Sequence, residues 1–347
     1  MKVLAYRGPG ALVLEERPRP RPGRGEALLH VDAASICGTD VRIAAGSHRA
    51  YGDALGRVPG HEVVATVVEV GEGALAITGD RVFVAPNYGC GHCRSCRRGQ
   101  VNLCDEPRAV GITEDGGFAE YLLAHKDLVD QGNLLRFDAA GLDPAVVALA
   151  EPLACAWRGS RACHIGPGDV VVVYGAGPIG LFHVALARLA GAGAVVVCEP
   201  NPERRRRALT WGATSAHDAG PDELQAGLQR AGATRGADAV VVAAPVPAAQ
   251  VQALELAGPG GRVNFFAGLG RGHSRAEFDS NLIHYKELIV TGTTASTNEE
   301  CRAALDLIVT GQVDVGSLVE ARFDLASAAA AFELAGSGQA LKVLIAP

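Results

Sequence analysis

Gly175-Ala176-Gly177-Pro178-Ile179-Gly180 stands between the apolar run Val170–Val173 and the helical run Ile179–Ala190, and no other stretch limits the fold so tightly. A G-x-G-x-x-G is weak evidence by itself. Between a strand and a helix it has a physical reading. The first two glycines let the backbone turn sharply and approach a pyrophosphate at a helix N-terminus, and Gly180 lets the helix pack closely on the strand. At the end of the next apolar run stands Glu199, nineteen residues on (199 − 180 = 19). A carboxylate there can accept hydrogen bonds from the adenosine ribose hydroxyls, which favours NAD over NADP. The run Arg204–Arg207 points the other way, since Arg204 or a neighbour can reach a 2′-phosphate. However, Lys2, Lys126, Lys286 and Lys342 are the only lysines among 32 Lys and Arg residues. With arginine this common, the run reads mainly as the exposed start of a helix.

A chain of 347 residues suits two domains. From Lys2 to about Tyr121, β-branched runs alternate with Gly/Pro punctuation: Glu26–Ala33, Val63–Val70, Arg81–Ala85 and Phe118–Leu123. This predicts an all-β, barrel-like unit. Pro144–Ser160 has a helical period. From Asp169 the runs Val170–Tyr174, Ala194–Cys198, Ala239–Ala243 and Arg262–Phe266 alternate with helix-length segments such as Pro202–Trp211. Runs apolar on both faces suit parallel strands covered by helices, so the middle of the chain should be a doubly wound sheet. A helix over Asn298–Thr310 and a strand over Ala340–Ile345 follow, the strand returning to the first unit. The expected division is 1–155 with 292–347, and 156–291.

Acidic residues outnumber basic ones by 38 to 32, a formal net charge of −6. That balance argues against nucleic acid or an anionic membrane as partner and leaves a small molecule. No stretch is apolar enough for a membrane helix, and no secretory leader core follows Met1, so the expected location is the cytoplasm. In such a compartment the nine cysteines should be reduced. Cys90, Cys93, Cys96 and Cys104 crowd one loop with Gly89, Gly91 and Gly99. Four thiolates can close a tetrahedral zinc site with no open position, which makes it structural. His92, inside the loop, is an alternative ligand.

Three dispersed pieces remain: Ile36-Cys37-Gly38-Thr39-Asp40, Gly60-His61-Glu62 and Ala150-Glu151-Pro152-Leu153-Ala154. Singly, each fits a core pair or a buried thiol. Together with the cysteine loop, Gly116–Tyr121 and the glycine motif, they make nearly the whole chain resemble the zinc-dependent medium-chain dehydrogenase/reductase family. The resemblance is greatest to its sorbitol (L-iditol) and polyol dehydrogenase branch, with threonine dehydrogenases close by. It implies a GroES-like β-barrel catalytic domain plus a Rossmann cofactor domain with a doubly wound parallel sheet, in a homodimer or homotetramer. It also implies two zinc ions per chain, one catalytic and one structural. Cys37 and His61 are then two ligands of the catalytic zinc, and Glu62 and Glu151 compete for the third place. One thiolate and one carboxylate leave the zinc site neutral, whereas a second carboxylate makes it −1, so the two glutamates should not bind fully together. Asp40 would hold the other ring N–H of His61. Cys155, one turn beyond Glu151, reads as core packing.

The implied chemistry is hydride transfer from a zinc-held alkoxide to C4 of a nicotinamide in the cleft between the domains. Thr39 would accept the alcohol proton, its other reading being a turn residue. Many relatives of this branch carry a histidine where Arg42 stands here. A guanidinium cannot shuttle protons. The relay runs through ribose and water, or His48 substitutes, or Arg42 marks an anionic substrate such as a polyol phosphate. The expected substrate is a polyol, sugar alcohol or cyclitol, with L-threonine or a polyol phosphate as the alternative. The rival of another class is a non-catalytic dinucleotide-binding scaffold or sensor. Pocket lining is expected from residues 42–57, Phe118 and the loop 291–297.

Overall fold

The computed structural model describes residues 1–347 apart from 49, 52, 53, 139, 140, 219, 271 and 273. They form two units, Met1–Ala154 with Ala295–Pro347, and Cys155–Thr294.

In Cys155–Thr294, six parallel strands lie in the spatial order Ser215–His217, Ala194–Cys198, Val170–Tyr174, Ala237–Val242, Ala257–Phe265 and Ile289–Gly292. Numbered within the unit this is 3-2-1-4-5-6, the order of a Rossmann sheet, which reverses beside its first strand. Val170–Tyr174 and Ala194–Cys198 are buried along their whole length, which is why they read as unbroken apolar runs. The helices Pro178–Leu189, Pro202–Thr210, Pro221–Arg230 and Pro247–Leu256 each open on a proline. A proline there has its φ already set for the helix and removes an N–H that would be orphaned in any case. The strand expected at Arg262–Phe266 begins earlier, at Ala257. Ala-Gly-Pro-Gly-Gly reads as a turn, yet Ala257 pairs with Ala237, and the glycines are taken up by a register shift before Arg262.

In the other unit a seven-stranded sheet runs Val319–Phe323, Lys342–Ile345, Ala27–Ser35, Glu62–Val70, Arg81–Val84 and Leu134–Arg136, with Tyr121–Ala124 pairing Ala27–Ser35. Only the first pair is parallel. The two long strands, Ala27–Ser35 and Glu62–Val70, share register shifts at Leu28/Leu29 and Val31/Ala33, and such bulges bend a sheet. This is the GroES-like sheet the resemblance implies. Phe118–Glu120, expected as strand, makes an isolated antiparallel bridge, Ala119 with Val3, through Leu4 N–H to Phe118 O and Glu120 N–H to Lys2 O, and Val31 N–H donates to Glu120 O on its other side. The hairpin of Lys2–Tyr6 with Leu12–Glu16 was not legible in the sequence. Fully buried Leu28, Leu29 and Phe83 each contribute roughly 1.5–3 kcal/mol of burial. Among the described residues no helix is long and apolar enough to cross a membrane.

Candidate active site

Cys37 ends an extended segment and caps the short helix Gly38–Ala44, whose third residue, Asp40, answers with a reciprocal bond. The Cys37 amide donates to Asp40 Oδ2 at 2.9 Å. The other oxygen of this fully buried carboxylate stands 3.4 Å from His61 Nδ1. That contact is an ion pair too loose to count as a hydrogen bond, and neither atom has a hydrogen-bond partner elsewhere among the described residues. His61 immediately precedes the strand Glu62–Val70, and Glu62 is its first residue. Donor atoms of Cys37, His61 and Glu62 all lie within 4.8 Å of one another. Burial disfavours the charged His61 ring, but the Asp40 charge and the Cys37 thiol outweigh it and hold His61 well above the usual histidine range. A thiol, an imidazole and a carboxylate at this spacing, gathered around a ring whose back nitrogen faces a buried carboxylate, fit a divalent zinc in both chemistry and spacing.

Glu62 is also held from behind. Lys342 Nζ donates to both its oxygens, at 2.7 and 2.5 Å, and both side chains are buried. Sequence reasoning missed Lys342. Glu151 lies in the first turn of the helix Ala150–Ala162, 6% exposed, and its charge acts on Lys342 and Cys301. It is not in the three-donor group found among the described residues. On the same helix Cys155 is half-buried. Thr39, half-buried, accepts a hydrogen bond from Arg42 Nη2 at 3.0 Å.

Two expectations for the pocket lining need correction. Phe118 is fully buried in the core, its ring edge-on to Phe332 at 5.6 Å, so it lines no open pocket. Ser296 and Thr297 are buried too, Thr297 capping the helix Asn298–Val309. His48 accepts the Ala50 amide through Nδ1. Residues 49, 52 and 53 of the expected lining lie outside the described residues.

The four sulfurs of Cys90, Cys93, Cys96 and Cys104 form a second donor group within 4.8 Å. Backbone amides already serve them: Cys93 N–H to Cys90, Cys96 N–H to Cys93, and Cys90 and Glu106 N–H to Cys104. The Cys96 amide, with further hydrogen bonds, draws the Cys93 thiol down to about 6. Gly89 has to be glycine, because a Cβ there would sit 2.3 Å from Cys96 Sγ. His92 turns its Nδ1 to the Cys90 carbonyl at 2.9 Å and is exposed, so the sulfur set is complete without it. Four thiols in this arrangement fit a closed zinc site.

At the other motif, Gly177 caps the helix Pro178–Leu189. A Cβ on Gly180 would lie 1.9 Å from the Gly175 carbonyl oxygen, so the helix approaches the strand as closely as the sequence predicts. Glu199 is buried and fixed at both oxygens, taking the Ala176 amide at 2.8 Å and the Asn201 amide at 2.9 Å. Asn201 Oδ1 caps the following helix by accepting the Arg204 amide. Arg205 donates to the carbonyls of Glu199 and Pro200, and Arg206 pairs with Glu203.

Residues 23–131 match the alcohol dehydrogenase GroES-like domain, and residues 178–310 match the zinc-binding dehydrogenase family. The chain is 32% identical to L-galactonate-5-dehydrogenase of Escherichia coli (strain K12), over 96% of this chain and 94% of that protein. It is 30% identical to sorbitol dehydrogenase of Halalkalibacterium halodurans, over 99% and 98%. A zinc-binding dehydrogenase of Sinorhizobium meliloti 1021, solved bound to NADP, matches with a TM-score of 0.91 at 33% identity, over 100% of this chain and 99% of that one.

Proposed function

The chain belongs to the zinc-dependent medium-chain dehydrogenase/reductase family of alcohol dehydrogenases, and from that premise we propose that it oxidises a secondary alcohol of a polyol, sugar alcohol or cyclitol with NAD. The observation that carries this reading is the convergence of Cys37, His61 and Glu62 donors within 4.8 Å, with Asp40 behind the imidazole.

Cys37, His61 and one carboxylate, Glu62 or Glu151, would hold a zinc, which would supply Lewis acidity toward the alcohol oxygen, and a bound nicotinamide would supply the hydride acceptor. Cys90, Cys93, Cys96 and Cys104 would hold a second, structural zinc. Asp40 fixes the His61 ring so that Nε2 is its free donor. Thr39 Oγ1 would accept the alcohol proton only while passing its own hydroxyl proton on, through ribose and water, to solvent. The Arg42 guanidinium donates to that oxygen, but it cannot itself carry the proton further. Gly175, Ala176, Gly177, Pro178, Ile179 and Gly180 cradle the pyrophosphate at the helix N-terminus. Glu199, already anchored by two amides, presents its remaining lone pairs to the adenosine ribose, which supports NAD. The NADP bound to the Sinorhizobium relative keeps NADP as an arm of the test.

A second reading has its own observation. Arg42 is exposed beside Thr39, and its cation suits a substrate bearing a carboxylate or phosphate. The similarity to an L-galactonate dehydrogenase favours the carboxylate. Nine free cysteines support a cytoplasmic location. A homodimer or homotetramer joined at the edge strand Ile289–Gly292, where Ile289 is half exposed, completes the proposal.

Metal analysis and a substrate panel test it together. About two zincs per chain, and reduced-cofactor absorbance with a polyol, cyclitol, sugar acid, sugar phosphate or threonine given NAD in preference to NADP, are the expected results. One zinc per chain with no turnover on any of them would leave the dinucleotide-binding scaffold as the better account.

A further inference from the structure

Three side-chain amides meet where the chain enters the four-cysteine loop, and the proposed reaction uses none of them. Gln131, just past the short helix Lys126–Asp130, holds the backbone of Gly89 from both sides. Its Oε1 accepts the Gly89 amide at 3.2 Å, and its Nε2 donates to the Gly89 carbonyl at 2.9 Å. Gly89 in turn lies against the sulfurs: a Cβ there would meet Cys96 Sγ at 2.3 Å and Cys104 Sγ at 3.3 Å, and the next amide, that of Cys90, donates to Cys104 Sγ. Asn133, fully buried, donates to the carbonyls of Ala85 and Asn87, both at 2.8 Å, on the segment leading to Gly89. Backbone carbonyls only accept, so these bonds fix which way the Gln131 and Asn133 amides face. The Asn133 oxygen is thereby turned to Asn298, whose Nδ2 donates to it at 2.9 Å and to the Gln131 carbonyl at 2.8 Å. Asn298 opens the helix Asn298–Val309, 165 and 167 residues along the chain from these two partners. Its own Oδ1 is buried without a hydrogen-bond partner among the described residues, so what its nitrogen donates is what holds it.

We propose that Asn298 and Gln131 are positioning residues for the four-cysteine metal: the amide row ties the start of the helix Asn298–Val309 to Gly89, so that the helix end and the bound ion stabilise each other. The inference rests on the zinc reading of the four cysteines. A closed tetrahedral site needs four sulfurs at fixed mutual distances. Gly89 touches the places of two of them, so a small shift of its backbone disturbs the set. Neutral amides suit the task, since each fixes a position with two hydrogen bonds and leaves the charge of the sulfur set unchanged. Coupling of this kind is reciprocal, and the stabilisation that the helix lends to the ion is returned by the ion to the helix.

The test compares the purified, metal-loaded wild type with Gln131→Met, Asn298→Ala and the double variant. The readouts are metal release to a chelator and the near-ultraviolet thiolate-to-metal absorption after cobalt exchange, which is far stronger for an ion held by four thiolates than for one held by a single thiolate. Gln131→Met should speed release of the four-cysteine ion about 10–30-fold and Asn298→Ala about 3–10-fold, with the other ion leaving at the wild-type rate. The double variant should fall short of the product of the two effects, because both act on one row of bonds. Unchanged release in either folded single variant, a double variant that reaches the full product, or equal acceleration of both ions would each overturn the proposal. If the variants do not fold, hydrogen exchange in the wild type decides, measured before and after the four-cysteine ion leaves and with metal counted at each step. The backbone amides of residues 301–304 should then exchange about 3–10-fold faster, while the helix Pro178–Leu189 keeps its rates. No change at residues 301–304, or an equal change in both helices, overturns the proposal. Failure of the underlying zinc reading looks different, because the wild type itself would then lack the four-thiolate cobalt absorption.

Discussion

Asp40 Oδ1 stands 3.4 Å from His61 Nδ1, while the other oxygen of the same carboxylate takes the Cys37 amide at 2.9 Å. One buried anion thus orients two of the three donors, one through its ring and the other through its backbone. Asp40→Asn keeps the shape and removes the charge. We expect zinc affinity at this centre to fall about 10–100-fold while the four-cysteine site keeps its ion. Chelator competition followed by metal counting distinguishes the two, and equal loss from both would refute the assignment.

Thr39 carries the hydroxyl proposed to receive the alcohol proton, and Arg42 donates to it. Thr39→Val keeps the volume and deletes the proton acceptor, so kcat should drop roughly 10²–10⁴-fold with cofactor affinity unchanged. Thr39→Ser should recover most of the rate. A valine variant as fast as wild type would reduce Thr39 to a turn residue.

Gly180 is pressed against the Gly175 carbonyl, where a Cβ would lie at 1.9 Å. Gly180→Ala must push the helix Pro178–Leu189 away from its strand. The expected cost is about 1–3 kcal/mol of stability, together with weaker dinucleotide binding by fluorescence titration. Binding as tight as wild type would show that the turn tolerates the shift.

His183 is fully buried, bonded through Nδ1 to Ser160 at 3.1 Å, with Nε2 unpartnered among the described residues. Burial pushes it down to about 3 from an ordinary 6.5. The folded unit therefore keeps it neutral where the unfolded chain would protonate. Its contribution is fully present above pH 6.5 and falls as pH drops from there toward 3, by up to about 1.4 kcal/mol per unit. His183→Leu should flatten that acid slope. Both tryptophans, Trp157 and Trp211, lie in Cys155–Thr294, so denaturant titrations at pH 7 and 5 followed by fluorescence report this unit. Identical slopes in wild type and variant would count against the assignment.

Short-range features of this molecule could be read from sequence because their physics is short-range. A strand, a glycine turn and a helix opened by proline occupy Val170–Leu189 without a break, and the four sulfurs share fifteen residues, Cys90–Cys104. Glu199 could be located because the strand and helix lengths between it and Ala176 are nearly fixed by the fold. Lys342 could not. Its partner is 280 residues away, and K-V-L-I reads as an ordinary strand whose lysine points to water. The one available hint was compositional. In a chain that uses arginine almost everywhere, three of its four lysines prove to be bonded through Nζ, Lys342 on Glu62, Lys286 on the carbonyls of Leu254, Glu255 and Ala257, and Lys126, at the surface, on Asp130. Phe118 was misjudged for a related reason, since nothing local to Gly116–Tyr121 shows that Phe332 will cover its ring.

Because the strand Lys342–Ile345 lies against Ala27–Ser35, the ribosome must translate all of Cys155–Thr294 before the first unit can close. A nascent chain can gather the four thiols of the loop Cys90–Cys104 before any of Cys155–Thr294 has been made. Glu62 waits for its counter-cation until 280 further residues have been added, so the two donor groups mature at different stages of synthesis.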